Sequence, residues 1–281
     1  MAVSVALIGA GGKMGTRITN NLLKTDCNLL LCEKSETAAA KIRERGLEVV
    51  TAKEAVPKAD VVIMAVPDAL IGSVSSQIVP MCKTGATILL LDPAAAVAGE
   101  VALREDLNYV VCHPCHPPLF GEEDSPEARR DFFGGVAAKQ DIVIALMQGS
   151  EDAFRQAEEL CRAMFAPVVN AHRITVEQMA VLEPAMAEVV AASAACLMRE
   201  ALEEAVKAGV PREAATAFMM GHVRVPLAIA FGVVDFPFSD AAKIAIKWGN
   251  ERIYNPNWRK VFAPDQIRAV IREMLHSGRE Q

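Results

Sequence analysis

The stretch VSVALIGAGGKMG, residues 3–15, decides the fold of this chain. Its first part, residues 3–8, is a short apolar run that predicts a buried strand. The glycines follow without a spacer and lead into a helical pattern. A dinucleotide site requires this order, because the pyrophosphate must approach bare backbone N–H groups at a helix N-terminus, where the helix dipole favours negative charge. The stretch therefore predicts such a site.

The glycine spacing departs from G-x-G-x-x-G, because Met14 stands where the third glycine of that pattern belongs. Gly9, Gly12 and Gly15 fit the spacing G-x-x-G-x-x-G instead. We assign Gly9 to the tight turn, Gly12 to the phosphate approach and Gly15 to helix–strand packing. The pattern alone leaves one alternative open, which is a glycine turn that binds no nucleotide.

A second predicted strand supports the nucleotide interpretation. Residues 28–32 read NLLLC, and Glu33 follows directly. A carboxylate at this position accepts hydrogen bonds from the ribose hydroxyls of adenosine and repels a 2′-phosphate. The sequence therefore predicts NAD as cofactor rather than NADP, while the neighbouring Lys34 favours the opposite preference.

The most apolar central strand is predicted at residues 59–66, since both of its faces are apolar as in a parallel sheet covered by helices. Ligands bind beyond the carboxyl ends of such strands, so residues 65–68 should border the ribose on the nicotinamide side. A strand-to-helix turn with Asp68 as N-cap is compatible with this assignment. The predicted cofactor-binding residues are Gly9, Gly11, Gly12, Lys13, Met14, Gly15, Glu33, Val66, Pro67 and Asp68.

Alternation of strands and helices continues to about residue 170, and only helices follow. Further strands are predicted at 47–50, 87–91, 108–112, 141–147 and near 168–169, and C-terminal helices at 176–208, 211–232, 239–254 and 264–276. The expected fold class is α/β, a doubly wound Rossmann-type parallel sheet followed by an all-α domain. We expect an NAD-binding domain at 1–170 and a helical substrate and dimerisation domain at 171–281.

The segment HPCHPPLFGEE, residues 113–123, is expected as a rigid loop after the strand at 108–112. Its prolines fix the backbone and carry no backbone N–H donor that would need a partner. His113 and His116 would then be placed to position a substrate or a metal, and a Cys115 thiolate is a possible further ligand. The alternative is that the prolines shape a turn and the histidines bond backbone carbonyls.

Glu183 is the other candidate functional residue. It lies in an apolar stretch just before Pro184, which should kink the helix predicted at 176–208. A carboxylate in this setting is either a buried functional group with a partner or a surface residue on the far face, and we prefer the former. Glu177 and Glu188 are expected to be solvated.

Composition excludes several classes of protein. The 281 residues carry a net charge of −6 with 5% aromatic residues, so nucleic acid is not an expected partner. No leader is recognised and no apolar run is expected to span a membrane, and the seven scattered cysteines suggest free thiols in the cytoplasm. The apolar face predicted near Phe218 and Met220 suggests a homodimer, with an intrachain core as the alternative.

These features together resemble a known group of proteins. Residues 9–15, residues 59–68 and the helical second half look like the NAD-binding β-hydroxyacid and 6-phosphogluconate dehydrogenase superfamily. Residues 113–123, with the Phe-Gly-Gly at 133–135, look more particularly like the D-apionate oxidoisomerase family. The resemblance implies an NAD-dependent oxidoreductase of carbohydrate catabolism that converts D-apionate to 3-oxo-isoapionate. An NAD-dependent dehydrogenase of another sugar or 3-hydroxy acid, without rearrangement, is the alternative, and a non-catalytic NAD sensor is a more distant one.

The resemblance also implies site roles. The rearrangement parallels that of ketol-acid reductoisomerases, so a divalent metal of the Zn or Mg class is expected, with His113 and Glu183 as its ligands. His116 is then a third ligand or the acid/base group, and the predicted catalytic residues are His116 and Glu183. Simple β-hydroxyacid dehydrogenases use a lysine on the first long helix of the second domain, whereas here that helix carries only Lys207, near its far end.

Overall fold

The computed structural model describes residues 2–276 and divides them into two compact units. The first unit holds residues 2–180 and 268–276, and the second holds residues 181–267. The boundary thus lies beyond the expected position at residue 170. The reason is that a short helix after the last strand packs on the sheet side and stays with the first unit.

The secondary structure alternates as the sequence suggests. The strands are β1 (Ser4–Ile8), β2 (Asn28–Cys32), β3 (Val61–Met64), β4 (Thr87–Leu90), β5 (Asn108–His116), β6 (Gln140–Gln148) and β7 (Val168–Arg173). The helices are α1 (Lys13–Leu22), α2 (Glu36–Glu44), α3 (Ala52–Ala55), α4 (Asp68–Ile78), α5 (Ala94–Val97), α6 (Glu151–Met164), α7 (Val176–Ala180), α8 (Ser193–Lys207), α9 (Arg212–Ala230), α10 (Asp240–Ile253) and α11 (Pro264–His276).

The strands form one seven-stranded sheet in the order β2-β1-β3-β4-β5-β6-β7. All neighbouring pairs are parallel except β5 and β6, which are antiparallel. Leu7, Ile63 and Leu89 on the central strands are fully buried. The chain leaves β1 toward β2 on one side and returns to β3 on the other, so the carboxyl ends of these strands flank a switch point where ligands bind in such sheets. The predicted fold class is confirmed.

Two strand predictions are wrong in part. The strand expected at 47–50 is reduced to one isolated bridge between Leu31 and Val49. The chain turns away there because Thr51 caps α3 through a reciprocal capping box with Glu54. The strand expected to end at residue 112 continues to His116, so the two histidines lie on β5 rather than on a loop after it.

The first helical stretch of the second unit is wound more loosely than expected. Residues Val181–Ala192 form a π-helix around Pro184, where a simple kink was predicted. Proline lacks the N–H that the α-helical bond needs, and its ring crowds the preceding turn. The wider winding relieves this crowding without ending the helix.

By length and composition alone, the helical stretch Val176–Lys207 is long and apolar enough to span a membrane. The expectation that no apolar run reaches this length is therefore wrong. The stretch is mostly exposed, and Glu183 and Glu188 interrupt it. Length and composition do not distinguish a membrane span from a helix that another protein surface covers.

Candidate functional site

The glycine turn is held tightly between the ends of β2 and β3. Gly9 and Ala10 donate backbone hydrogen bonds of 2.9 and 3.1 Å to the carbonyl of Cys32. Gly9 has φ +84°, and a Cβ there would overlap the carbonyl oxygen of Ala65. Only glycine meets both demands, because it tolerates positive φ and lets another backbone approach closely.

The start of α1 follows from the same packing. Gly12 is the N-cap residue, and a Cβ there would make only ordinary contact. Gly15 lies one turn into the helix, where a Cβ would overlap the carbonyl oxygen of Gly9. Lys13, which is exposed, and Met14, which is half-buried, stand beside these glycines in the first turn. The N-terminus of α1 is thus open at Gly12 and closely packed at Gly15.

Glu33 joins the turn to β2 through both of its carboxylate oxygens. Oε2 accepts a 2.9 Å hydrogen bond from the Gly11 N–H, and Oε1 accepts one of 2.9 Å from the Ser35 N–H. A Cβ on Gly11 would press against Ala38 and Glu33. Each oxygen of Glu33 retains a further lone pair, so the carboxylate is fixed in place and still able to accept ribose hydroxyls.

A cleft of about 820 Å³ opens beside this turn. Gly9, Gly11, Gly12, Glu33, Val66 and Pro67 line one part of it, together with Lys34 and Ser35. Asp68 begins α4 and lies outside this lining, and Pro67 rather than Asp68 is the N-cap residue of that helix. The cleft therefore gathers most of the predicted cofactor residues, and their contact with NAD stays a prediction.

His113 lies on β5 with its Nδ1 atom 2.8 Å from the carbonyl oxygen of Leu91. A carbonyl oxygen only accepts, so Nδ1 carries the proton and Nε2 carries the ring lone pair. The carboxylate of Asp92 stands 4.0 Å from the same Nδ1. An Nδ1–H held by a carbonyl is the usual support for a histidine that binds a metal through Nε2.

His116 has the same tautomer for a similar reason. Its Nδ1 lies 2.9 Å from the carbonyl oxygen of Phe133, so its Nε2 also carries the lone pair. His116 has φ +62°, a left-handed conformation that is uncommon outside glycine. Such conformations persist where the surrounding structure enforces them, often at functional sites.

A bulge at Cys115 brings the two histidines together. Residues three apart on a regular strand point to opposite faces, which would separate His113 from His116. Here Pro114 pairs with Ile142 and His116 pairs with Asp141, so Cys115 is an extra residue in the ladder. The ring centres of His113 and His116 consequently lie 6.2 Å apart.

Cys115 is poorly suited to act as a thiolate. Burial raises the pKa of its thiol, and the nearby Asp141 carboxylate raises it further. Among residues 2–276, no group of three His, Cys, Asp or Glu side chains could hold a metal ion. A metal at His113 would thus need oxygen ligands from substrate or water as well as from protein.

Glu183 lies in the second unit, at the start of the π-helix, and is half-buried beside the buried Pro184. Its expected partnership with His113 remains a prediction. Glu177 and Glu188 are exposed, as expected.

Two residues that contact the histidines, Asp92 and Phe133, were given no role in the site by the sequence analysis. Asp92 directly follows β4, so the rule that pointed to residues 65–68 would also have found it.

Two protein families match the chain. Residues 2–173 match the family described as acetohydroxy acid isomeroreductase, NADPH-binding domain. Residues 121–275 match the family described as phosphogluconate dehydrogenase (decarboxylating), C-terminal.

Curated relatives span nearly the full chain. A protein named D-apionate oxidoisomerase from Cupriavidus necator is 46% identical and covers 98% of this chain and 100% of its own length. One of the same name from Pectobacterium atrosepticum is 42% identical, over 97% of this chain and 95% of its own.

Solved structures agree with this similarity. A protein from Cupriavidus necator, described as a semialdehyde dehydrogenase NAD-binding protein in complex with calcium and NAD, superposes with a TM-score of 0.95. It is 45% identical and covers 98% of this chain and 100% of its own. An NADH-preferring ketol-acid reductoisomerase from an uncultured archaean, at 20% identity and TM-score 0.69, covers 98% of this chain and 83% of its own and shares the fold.

Replacing Glu33 by Gln tests the ribose assignment. The amide keeps the size of the side chain but loses the negative charge, so NAD should bind about 1–2 kcal/mol more weakly and the discrimination against NADP should shrink. Fluorescence titration with both nucleotides measures this. Glu36→Gln changes an exposed carboxylate on α2 and is the matched control. Unchanged NAD affinity in Glu33→Gln would place Glu33 away from the ribose.

Proposed function

The chain belongs to the D-apionate oxidoisomerase family, and on this premise we propose that it oxidises D-apionate with NAD and rearranges the carbon skeleton to 3-oxo-isoapionate. The observation that carries the proposal is 42–46% identity, over nearly the whole chain, to four proteins of that name. The resemblance stated from the sequence is thereby confirmed. The broader class, an NAD-binding oxidoreductase, agrees with the structural neighbour in complex with NAD.

The proposed reaction removes one hydride and one proton overall. A secondary alcohol loses its hydride to NAD and its hydroxyl proton to a base, which leaves a ketone beside a tertiary alcohol. The tertiary hydroxyl then gives up its proton while a carbon group migrates to the ketone carbon. The former ketone oxygen takes up a proton, so the rearrangement itself is neutral in protons and electrons.

His116 is the proposed acid/base group. The Nδ1 contact with the Phe133 carbonyl leaves Nε2 to accept the proton of the hydroxyl and to return it. His113 and Glu183 are the proposed ligands of a divalent ion, with substrate oxygens and water completing its coordination. Such an ion, when bound, stabilises the negative charge that develops on neighbouring oxygens. A similar protein has been described in complex with calcium and NAD, which supports a divalent ion as a partner of this family.

Turnover of D-apionate tests the function. NADH should form with D-apionate and not with a panel of other sugar acids. Treatment with a chelator should abolish the reaction and return of a divalent metal should restore it. NADH formation with a different acid would indicate an ordinary dehydrogenase instead. Turnover that is unaffected by chelation would show that the reaction needs no metal.

The proposed ligands predict a specific mutant phenotype. His113→Ala and Glu183→Gln should each abolish metal-dependent turnover while the NAD dissociation constant stays near that of the wild type. Glu188→Gln, an exposed carboxylate in the same π-helix, is the matched control and should keep its activity. Wild-type turnover in His113→Ala or Glu183→Gln would show that the residue is structural.

A homodimer is also proposed, because the second unit leaves large apolar side chains uncovered. Its helices α8 and α10 bury no residue. Six side chains of this unit are 60–76% exposed: Phe218, Met220, Phe231, Phe236, Ile244 and Trp248. Apolar surface of this extent is typical of an interface. A second copy of the same chain covers it most simply, since the faces then match by symmetry.

Analytical ultracentrifugation tests the dimer. The wild-type protein should sediment at about twice the 30.2 kDa of one chain. Phe218→Glu places a charge on the exposed face of α9 and should shift the equilibrium toward monomer, whereas Glu213→Gln in the first turn of α9 should not. A wild-type monomer that binds lipid vesicles would favour a membrane as the cover.

The remaining assignments are proposed on the same basis. The partner is a small sugar acid, and the net charge of −6 does not favour nucleic acid. A cytoplasmic location is supported by the seven free cysteines, which suit a reducing compartment.

A further inference from the structure

Arg17 is a half-buried cation beside Phe133, the aromatic residue that the His116 ring also contacts. It lies on α1, with its guanidinium carbon 4.6 Å from the centre of the Phe133 ring. Within residues 2–276 it makes no salt bridge and no hydrogen bond, whereas Arg104, Arg173 and Arg212 are paired with carboxylates. A partly desolvated charge without an anion is unfavourable, so this position suits a negatively charged ligand.

The contact with the Phe133 ring leaves the hydrogen-bonding capacity of Arg17 available. A cation over an aromatic ring is attracted by the ring quadrupole and uses no N–H donor in a bond to an oxygen. Those donors match the two oxygens of a carboxylate. The ring of Phe133 is 61% exposed, so a ligand can approach this place from solvent.

Phe133 also connects Arg17 to the proposed acid/base group. The His116 ring packs edge-on against the Phe133 ring at 6.1 Å, and its Nδ1 is held by the Phe133 carbonyl. One turn further along α1, Asn21 donates a 2.9 Å hydrogen bond to the carbonyl of Gly135. The segment that carries Phe133 is therefore fixed to α1, and Arg17 and His116 flank the same ring.

Carboxylates near Phe133 are engaged with the backbone. Asp131 accepts hydrogen bonds through Oδ2 from three consecutive N–H groups, those of Val136, Ala137 and Ala138. Glu123 accepts one from the N–H of Lys139. These acids shape the connection between β5 and β6, and within residues 2–276 neither forms a salt bridge with Arg17.

We propose that Arg17 binds the carboxylate of the sugar-acid substrate and so holds the substrate beside His116. The inference rests on the proposed function, since it takes a sugar acid as the ligand. The pyrophosphate of NAD is the competing anion. Its predicted place is the N-terminus of α1, which begins after the N-cap residue Gly12, more than one turn before Arg17.

Calorimetric titration of the NADH-saturated protein tests the inference without requiring turnover. The probes are D-apionate and the corresponding neutral alditol. Arg17→Gln should weaken D-apionate binding by about tenfold to 100-fold, while the affinity for the alditol stays the same. Arg17→Lys keeps the charge but lacks the planar guanidinium. Its affinity for D-apionate should therefore lie between those of the wild type and Arg17→Gln. Arg130→Gln, an exposed arginine in the same connection, is the matched control.

Each outcome decides between the claims. Equal D-apionate affinity in wild type and Arg17→Gln would overturn the inference and leave the proposed function intact. A parallel loss of NADH affinity in Arg17→Gln would assign Arg17 to the nucleotide instead. Selective loss of D-apionate affinity without any turnover in the wild type would support the carboxylate site and contradict the proposed function. Failure of the wild type to bind D-apionate would overturn both.

Discussion

The Cys32 carbonyl accepts the N–H groups of both Gly9 and Ala10, and the Ala65 carbonyl fills the space where a Cβ on Gly9 would stand. These contacts fix the glycine turn between β2 and β3. They direct α1 away from the turn with its N-terminus open, and they place Glu33 against the N–H of Gly11. The geometry of the nucleotide site thus follows from the close approach of the glycine turn to the backbones of Cys32 and Ala65.

The second part of the site depends on an irregularity in β5. Only the extra residue at Cys115 and the positive φ of His116 bring His116 to the side of His113. Carbonyl oxygens then accept hydrogen bonds from the Nδ1 atoms of both rings, whose centres lie 6.2 Å apart at one edge of the sheet. The helix α1 carries at its N-terminus the predicted phosphate site, and further along it contacts Phe133 and Gly135. The nucleotide site and the histidine pair are therefore supported by the same helix.

The sequence predicts the parts of the structure that local patterns determine. The strand before Gly9 and the strand that ends just before Glu33 lie where the patterns place them. The bulge at Cys115 is not visible in the sequence, because it depends on how β6 pairs with β5. Pro184 predicts a disturbance of its helix, but the sequence pattern does not distinguish a kink from the π-helical winding that relieves the crowding of its ring. Arg17 gives no signal in the sequence, since its environment comes from a segment more than a hundred residues away.

The most direct test of the proposed rearrangement is the carbon connectivity of the product from uniformly ¹³C-labelled D-apionate, read from one-bond carbon–carbon couplings by NMR. If a carbon group migrates, one carbon–carbon coupling of the substrate is lost and a new one appears in the product, together with one NADH per turnover. A keto acid that retains every coupling of the substrate would show oxidation without rearrangement and would contradict the proposal.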